Sequence, residues 1–268
     1  MSCTTRKTNR PRRATAGQAM VEFTIVLGVL LLLILGTLQF ALIYHAKITL
    51  NYAAFETARA GTLNNARMWA MELAFARSLA PLYTTPYLQM GASGCTSNFA
   101  LSGNEPDNRA LTLFNVQCAR QRVRDMIDND LVRITLVNPS PESFAAHRPL
   151  GEDYIPNDSL MYRSARLRGP ANSEQSIQDA NLIKINTGIC YDLIVPLVDR
   201  VIWRMVALAP TALQPENFGT PADGTFAATC VADGDADPPR YRIPLFSEAV
   251  MRMQSNPVLD TFCGGDCG

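Results

Sequence analysis

The sequence has little of the chemistry that enzymes use most often. Its 268 residues include only two histidines, His45 and His147, and neither lies beside a nucleophile motif. There is no G-x-S-x-G, H-E-x-x-H or P-loop pattern, so the usual parts of a serine hydrolase, a metalloprotease or a nucleotide-binding enzyme are missing. These absences predict a protein that is not an enzyme and that needs no cofactor.

Metal-binding patterns are also scarce. Neither histidine lies near a C-x-x-C pair, which argues against a zinc site. Asp233, Asp235 and Asp237 have the D-x-D-x-D spacing of a calcium loop, but Pro244 stands where such a loop requires a bidentate glutamate. We favour a solvated acidic turn over a calcium site, and we predict no bound metal.

The net charge is zero, but the charges are unevenly distributed. Five basic residues and no acid precede Glu22, namely Arg6, Lys7, Arg10, Arg12 and Arg13. Because basic and acidic residues both total 24, the rest of the chain has a surplus of five acids. An acidic main part without a basic stripe argues against a nucleic-acid partner.

A long uncharged run follows this basic head. Residues 23–44 read FTIVLGVLLLLILGTLQFALIY, whereas roughly 20 apolar residues suffice to cross a bilayer as a helix. The run is apolar on every face, which disfavours the core helix of a soluble protein. It is also longer than the apolar part of a secretory signal and ends in IYHAK, a poor cleavage site. The preceding positive charges place the N-terminus in the cytoplasm and the rest of the chain outside.

The cysteines favour an oxidising compartment. Only Cys3 precedes the apolar run, and an even number of cysteines follows it. The six disulfide candidates are Cys95, Cys118, Cys190, Cys230, Cys263 and Cys267. Six cysteines allow about 15 pairings, and the sequence does not choose among them, although Cys263 and Cys267 are close enough to pair locally.

Glu22 is the unusual residue at the head of the run, where a carboxylate is costly if it enters hydrocarbon unpaired. One interpretation is an interfacial carboxylate favoured by the positive end of the helix. The other is a buried acid that pairs with a cation, such as an α-amine created by cutting the chain just upstream. The local sequence, RRATAGQAMVEFTIVLG, places Glu22 fifth after Gly17.

This segment resembles the type IV prepilins, in which a membrane peptidase cuts after a glycine and a glutamate is the fifth residue of the mature chain. The resemblance implies cleavage between Gly17 and Gln18 by a prepilin peptidase, and pairing of Glu22 with a neighbouring subunit's amine during assembly. More closely, residues 17–61 are similar to the TadE-like pseudopilins of tight-adherence, or Flp-type, pilus systems. The matching positions beyond the run are Tyr44, Ala53, Ala54, Ala58, Arg59 and Gly61.

The resemblance implies an assembly protein of the bacterial inner membrane. Its partners would be membrane lipid, prepilin peptidase, other pilin or pseudopilin subunits and the pilus assembly machinery. The first mature residue would be Gln18 rather than the phenylalanine of many other pilins, which leaves N-methylation open. A mature chain of about 250 residues is far longer than a short major Flp pilin and indicates a minor or accessory component. The alternative is a signal-anchored extracytoplasmic binding module, such as an adhesin or a sensor, without processing.

Beyond the run, residues 46–80 contain no proline and many helix-favouring residues, so we expect the membrane helix to continue outward. Helical spacing gives this segment two faces. One face carries Ile48, Tyr52, Phe55 and Arg59, and a small-residue face carries Ala54, Ala58, Gly61 and Ala66. We expect the small face to pack on the protein's own domain rather than on a second subunit, with a bend near Gly61.

The sequence therefore predicts an α+β protein in which a long N-terminal transmembrane helix continues outward and precedes an extracytoplasmic domain with a small antiparallel sheet and helices. The expected parts are a basic cytoplasmic leader at 1–17, the N-terminal helix at 18–80 with its span at about 23–44, a connecting loop at 81–110, and the domain at 111–268.

Within this domain, periodicity predicts a helix at 116–129 and strands at 131–137 and 182–195. Residues 138–181 contain five prolines and are expected to be irregular. A closing strand or hairpin is expected at 240–255.

Residues 196–210 read as an amphipathic helix with Val198, Ile202, Met205 and Val206 on one side. Its charged residues exclude a second membrane span. We favour packing on the domain over an alternative in which this helix lies on the membrane surface.

Overall fold

The computed structural model describes residues 16–84, 108–171, 174–208, 225–232, 234 and 239–259. Within these ranges the fold is α+β, as predicted. The elements in chain order are α1 (Ala16–Leu63), α2 (Met68–Tyr83), α3 (Asn108–Asp128), β1 (Val132–Asn138), α4 (Pro141–His147), α5 (Ile177–Ala180), β2 (Leu182–Asp192), α6 (Val198–Ala207), α7 (Phe226–Ala232) and β3 (Arg242–Arg252).

Helix α1 has 48 residues and two unlike halves. Every residue from Met20 to Ile34 is exposed, although nearly all of them are apolar. From Ala46 onward, one face is fully buried against the rest of the protein, including Leu50 and Ala53. The helix therefore leaves the domain as a projecting apolar rod, and the 15 exposed residues from Met20 to Ile34 extend on the order of 22 Å at 1.5 Å per residue.

We expected a helix over residues 18–80 with a bend near Gly61, and the structure shows a full reversal just after Gly61 instead of one continuous helix. Helix α1 ends at Leu63, and α2 folds back along it after a turn in which Asn65 and Ala66 adopt left-handed backbone conformations (φ 59° and 60°). The Ala66 N–H donates to the Gly61 carbonyl at 2.9 Å, which satisfies one of the free carbonyls at the helix end. The reversal also buries the apolar face of α2, which a straight helix would leave in water.

The sheet is a three-stranded antiparallel sheet with the order β1-β2-β3. The central strand β2 pairs with both neighbours, with Ile189 opposite Val132 on one side and Leu245 on the other. The predicted strands at 131–137 and 182–195 are confirmed as β1 and β2, and β3 is the closing strand. The expected irregular segment before β2 contains two short helices, α4 and α5.

The main core lies between one face of the sheet and the helices α1, α2 and α3. Leu50 of α1, Phe75 and Leu79 of α2, Val123 of α3 and Ile189 of β2 form one buried cluster. The predicted helix at 116–129 is part of α3, which begins earlier, at Asn108. On the other face of the sheet, α7 packs against β2 and β3.

Gly61 marks the closest approach of α1 to this core. A Cβ atom at this position would lie 2.5 Å from Ile183 Cδ1 and 2.9 Å from Met71 Sδ. A β-strand and a second helix therefore both occupy the space that a side chain would need. In contrast, a Cβ at Gly36 would have no heavy atom within 4 Å.

Helix α6 packs on the domain with most of the predicted face, since Val206 also packs in the core cluster and only Met205 departs from the prediction. Val198 and Ile202 are buried as expected, whereas Met205 is exposed and Trp203 takes its place in the core. The Trp203 indole N–H donates to the Val231 carbonyl at 3.2 Å, and the ring packs on Tyr241 at 5.5 Å. The large aromatic side chain therefore sets the orientation of the helix.

We predict that Gly61→Val destabilises the domain because the new side chain overpacks the contact between α1, α2 and β2. The expected loss is about 1–3 kcal/mol, which lowers the midpoint of thermal unfolding in detergent by roughly 2–10 °C. Gly36→Val is the matched control, because it makes the same change in α1 where there is free space. Equal melting temperatures for the two variants would show that the Gly61 contact does not constrain the fold.

Candidate functional site

The first half of α1 is the most unusual surface of the protein. Met20–Leu63 is long and apolar enough to cross a membrane, and no second helix of this kind occurs among the described residues. Almost all of the apolar part is exposed, whereas the core helix of a soluble protein would bury it. The surface is therefore consistent with a single-pass membrane anchor.

The three predicted N-terminal site residues lie at the start of this surface. Gly17 and Gln18 belong to the first turn of α1, and Glu22 follows one turn later. Glu22 is exposed between apolar neighbours such as Val21 and Phe23, and it forms no ion pair with any described residue. Within the monomer its carboxylate therefore has no cationic partner in the described ranges.

The alanine positions of the TadE-like pattern form the buried face of α1. Ala53, Ala54 and Ala58 are fully buried against the protein's own domain. Gly61 completes this face by allowing the close contact with Ile183 and Met71. The small-residue face thus packs on the chain itself, as we expected.

No described residue covers the opposite face of α1. Large side chains recur there at intervals of three or four residues along the helix, and all of them are exposed. We call this face the outer stripe; it consists of Phe40, Tyr44, Ile48, Tyr52, Phe55 and Leu63. Arg59 interrupts it and lies 3.8 Å from Glu56. A groove between α1 and α2 runs beside the stripe and is lined by Tyr52, Arg59 and Pro81.

Polar residues of α1 attach the domain to the helix. Gln39 is fully buried, and its side-chain oxygen accepts a hydrogen bond from the Val195 N–H at 2.9 Å. Further along, the Lys47 ammonium donates to the Phe246 carbonyl, and the Ser247 hydroxyl donates to Asn51 at 2.9 Å. Sequence reasoning missed the role of Gln39, although the signal was present as the only amide side chain in the apolar run.

Two cysteines form a disulfide on the far side of the sheet. Cys190 of β2 and Cys230 of α7 are joined, with Cα atoms 5.1 Å apart, and both are buried beside Phe226. Cys118 in α3 is also disulfide-bonded. The remaining candidates, Cys95, Cys263 and Cys267, lie outside the described residues.

The two histidines lie apart and in unlike environments. His45 is exposed on α1, whereas His147 is buried with its ring Nε2 3.0 Å from the Gln175 carbonyl. Burial lowers the pKa of His147, so its neutral form is favoured.

Asp233, Asp235 and Asp237 of the acidic turn lie outside the described residues. Within the described ranges, no group of three His, Cys, Asp or Glu side chains is arranged to hold a metal ion.

The fold thus defines an α+β protein with one projecting apolar helix. The model of the TadE-like protein family matches residues 17–59, the segment in which the Gly17, Glu22 and alanine pattern lies. The resemblance of this segment to TadE-like proteins is therefore confirmed, and it points to a protein associated with the tight-adherence pilus. No curated protein and no solved structure matches the chain.

We predict that the paired variant Cys190→Ala/Cys230→Ala loses about 2–5 kcal/mol of folding free energy, because the bridge closes a long loop in the unfolded chain. Urea unfolding of the detergent-solubilised protein, followed by circular dichroism, measures this loss. Cys3→Ala is the control, since Cys3 precedes the apolar run. An unfolding midpoint equal to that of the control would contradict a stabilising role for the bridge.

Proposed function

We propose that this protein is a structural component of pilus biogenesis, a TadE-like minor pilin or pseudopilin that supports assembly of a Flp-type pilus and adherence. The observation that carries the proposal is the coincidence of three features in α1. The family match, the exposed apolar surface and Glu22, which has no ion-pair partner among the described residues, all fall on the same segment. An enzymatic activity is not part of this proposal, because the site offers a docking surface and a single carboxylate.

Processing prepares the helix for assembly. Cleavage by a prepilin peptidase after Gly17 removes the basic leader and leaves an α-amine on Gln18. Glu22 lies four residues further along, about 6 Å up the same face of the helix. The mature N-terminus therefore carries a positive and a negative charge at a fixed axial distance.

Charge pairing then sets the register between subunits. A carboxylate in hydrocarbon is strongly disfavoured unless a cation compensates it, and the attraction between opposite charges is large in that environment. Glu22 of one subunit pairs with the Gln18 amine of a neighbour, and this pair specifies how far one helix is shifted along the other. Apolar contacts alone would allow one helix to slide along the other, because they are not directional.

The outer stripe extends the same contact outside the membrane. Ile48, Tyr52 and Phe55 continue the exposed face of α1 beyond the predicted span, so a neighbouring pilin helix can pack along both parts. The alanine face cannot serve this purpose because the protein's own domain covers it. Assembly therefore uses the aromatic and aliphatic side of the helix.

The proposed location is the inner membrane, with the N-terminus in the cytoplasm and the domain on the periplasmic side. The basic leader supports this orientation through the positive-inside bias. The disulfide between Cys190 and Cys230 supports an oxidising compartment for the domain. The alternative function, a signal-anchored adhesin or sensor, would use the same helix without cleavage or assembly.

We predict that the mature protein begins at Gln18. Mass spectrometry of the N-terminal peptide, in cells with an active prepilin peptidase, should show this terminus, whereas cells without the peptidase should retain the leader. Gly17→Val should block cleavage, and Gly28→Val is the control because it changes a glycine inside the same helix. A leader still intact in peptidase-active cells would favour the anchored binding module.

We predict that Glu22→Gln is cleaved and inserted normally but assembles poorly, because the side chain keeps its size and loses its charge. Hydrogen bonds to charged groups contribute about 1.5–3 kcal/mol, so recovery with pilin subunits after crosslinking should fall roughly tenfold or more. Glu56→Gln removes the other glutamate of α1 and is the matched control. The ion-pair role is wrong if Glu22→Gln is recovered with pilin subunits as well as this control.

A further inference from the structure

Helix α6 has an apolar face that the described part of the domain does not cover. While Val198, Ile202 and Trp203 point into the core, a second row of large side chains is exposed at intervals of three or four residues. We call this row the α6 stripe; it consists of Val201, Met205 and Leu208, together with Ile194 and Leu197, which are exposed in the turn just before α6 begins at Val198. The helix is therefore apolar on two sides, and only one of them is explained by packing.

The structure places α6 beside a defined level of α1. Leu35 and Ile43 of α1 pack in the same cluster as Val195, Val198 and Ile202. The hydrogen bond from the Val195 N–H to Gln39 fixes the start of α6 at this level. The α6 stripe thus lies next to the segment of α1 where the exposed apolar rod meets the domain.

That junction limits how far the hydrocarbon region of a bilayer can extend along α1. All side chains from Met20 to Ile34 are exposed, and the first contact with the domain occurs at Leu35. A bilayer needs roughly 20 helical residues, which fit between Ala19 and Leu38. If the domain stays outside the hydrocarbon, the boundary lies near Leu35 to Gln39 rather than at residue 44, because the domain occupies one side of the helix beyond this point.

We propose that α6 lies in the membrane interface, with the α6 stripe inserted among the lipids of the leaflet nearest the domain. The occupant is lipid because the stripe is continuous with the membrane-spanning part of α1. Arg204 is exposed on the border of the stripe, where its guanidinium group reaches lipid phosphates while the apolar side chains enter the acyl region. The guanidinium group of the exposed Arg200 instead lies over the Tyr241 ring, 5.8 Å from its centroid. The exposed Phe40 and Tyr44 lie at the same level and suit the headgroup region.

This inference rests on the membrane anchoring assumed in the proposed function, but it does not depend on pilus assembly. It gives the domain a fixed orientation. With α1 crossing the bilayer and α6 lying on it, rotation of the domain about the α1 axis and tilt toward the membrane are both restricted. The outer stripe is then presented to neighbouring subunits in one direction.

The test uses a fluorescent amino acid incorporated at single positions of the full chain, reconstituted in vesicles of phosphatidylethanolamine and phosphatidylglycerol. Lipids with brominated acyl chains quench a probe that touches them. Val201 is the test position, and Val250 is the matched control, because it is 55% exposed against 53% for Val201 but lies on β3, near the end remote from the junction. A probe at Leu31 reports whether α1 itself is inserted.

We expect brominated lipid to quench the probes at Leu31 and Val201 at least roughly twofold more than the probe at Val250. Quenching at Leu31 without quenching at Val201 would overturn the α6 inference while leaving the anchor intact. A probe at Val201 that is shielded from water, unquenched by lipid and sensitive to the protein-to-lipid ratio would also overturn it, since a second protein molecule would then cover the stripe. Normal folding of each labelled chain is checked by formation of the Cys190–Cys230 bridge.

Discussion

One constraint governs the structure: α1 must be stable in two surroundings with opposite demands. In a bilayer, every backbone polar group has to be satisfied within the segment, and an uninterrupted helix does this while presenting an apolar surface on all sides. Outside the bilayer, the same helix has to bury one face in a domain. The chain meets both demands with one continuous helix whose side chains change in size. The first part is rich in leucine, whereas the buried face of the second part is formed by Ala53, Ala54 and Ala58.

The small side chains of that second half determine how the domain is built. Alanine and Gly61 let the α1 backbone approach the sheet and α2 closely, so the core of α1, α2, α3 and β2 forms around the helix that also carries the anchor. The hydrogen bonds that Gln39 and Lys47 form with the domain fix the orientation of α1 relative to it.

Much of this organisation could be predicted from the sequence because it depends on local patterns. The charge step and the apolar run specify the anchor, and the β-branched alternation specifies β1 and β2.

The reversal at Asn64–Arg67 could not be predicted, because the residues on both sides favour a helix. Only the burial of Phe75 and Leu79 against α1 determines that the chain turns back there. On α6, Trp203 was missed and Met205 was wrongly assigned to the core for a similar reason, because the hydrogen bond of Trp203 to Val231 cannot be read from periodicity. The pairing of Cys190 with Cys230 likewise depends on tertiary contacts, because these residues are 40 positions apart.

The position of the membrane boundary determines whether Glu22 lies at the interface or within the hydrocarbon region. If the hydrocarbon region ended at residue 44, its other edge would fall near Phe23, and Glu22 would lie at the interface with little need for a partner. In the proposed placement, the domain contacts at Leu35 and Gln39 move the hydrocarbon region toward the N-terminus. Roughly 20 spanning residues then enclose Glu22, and an unpaired carboxylate there becomes costly. The way the domain sits on α1 thus favours the interpretation in which Glu22 pairs with a cation from another subunit over that of an interfacial acid.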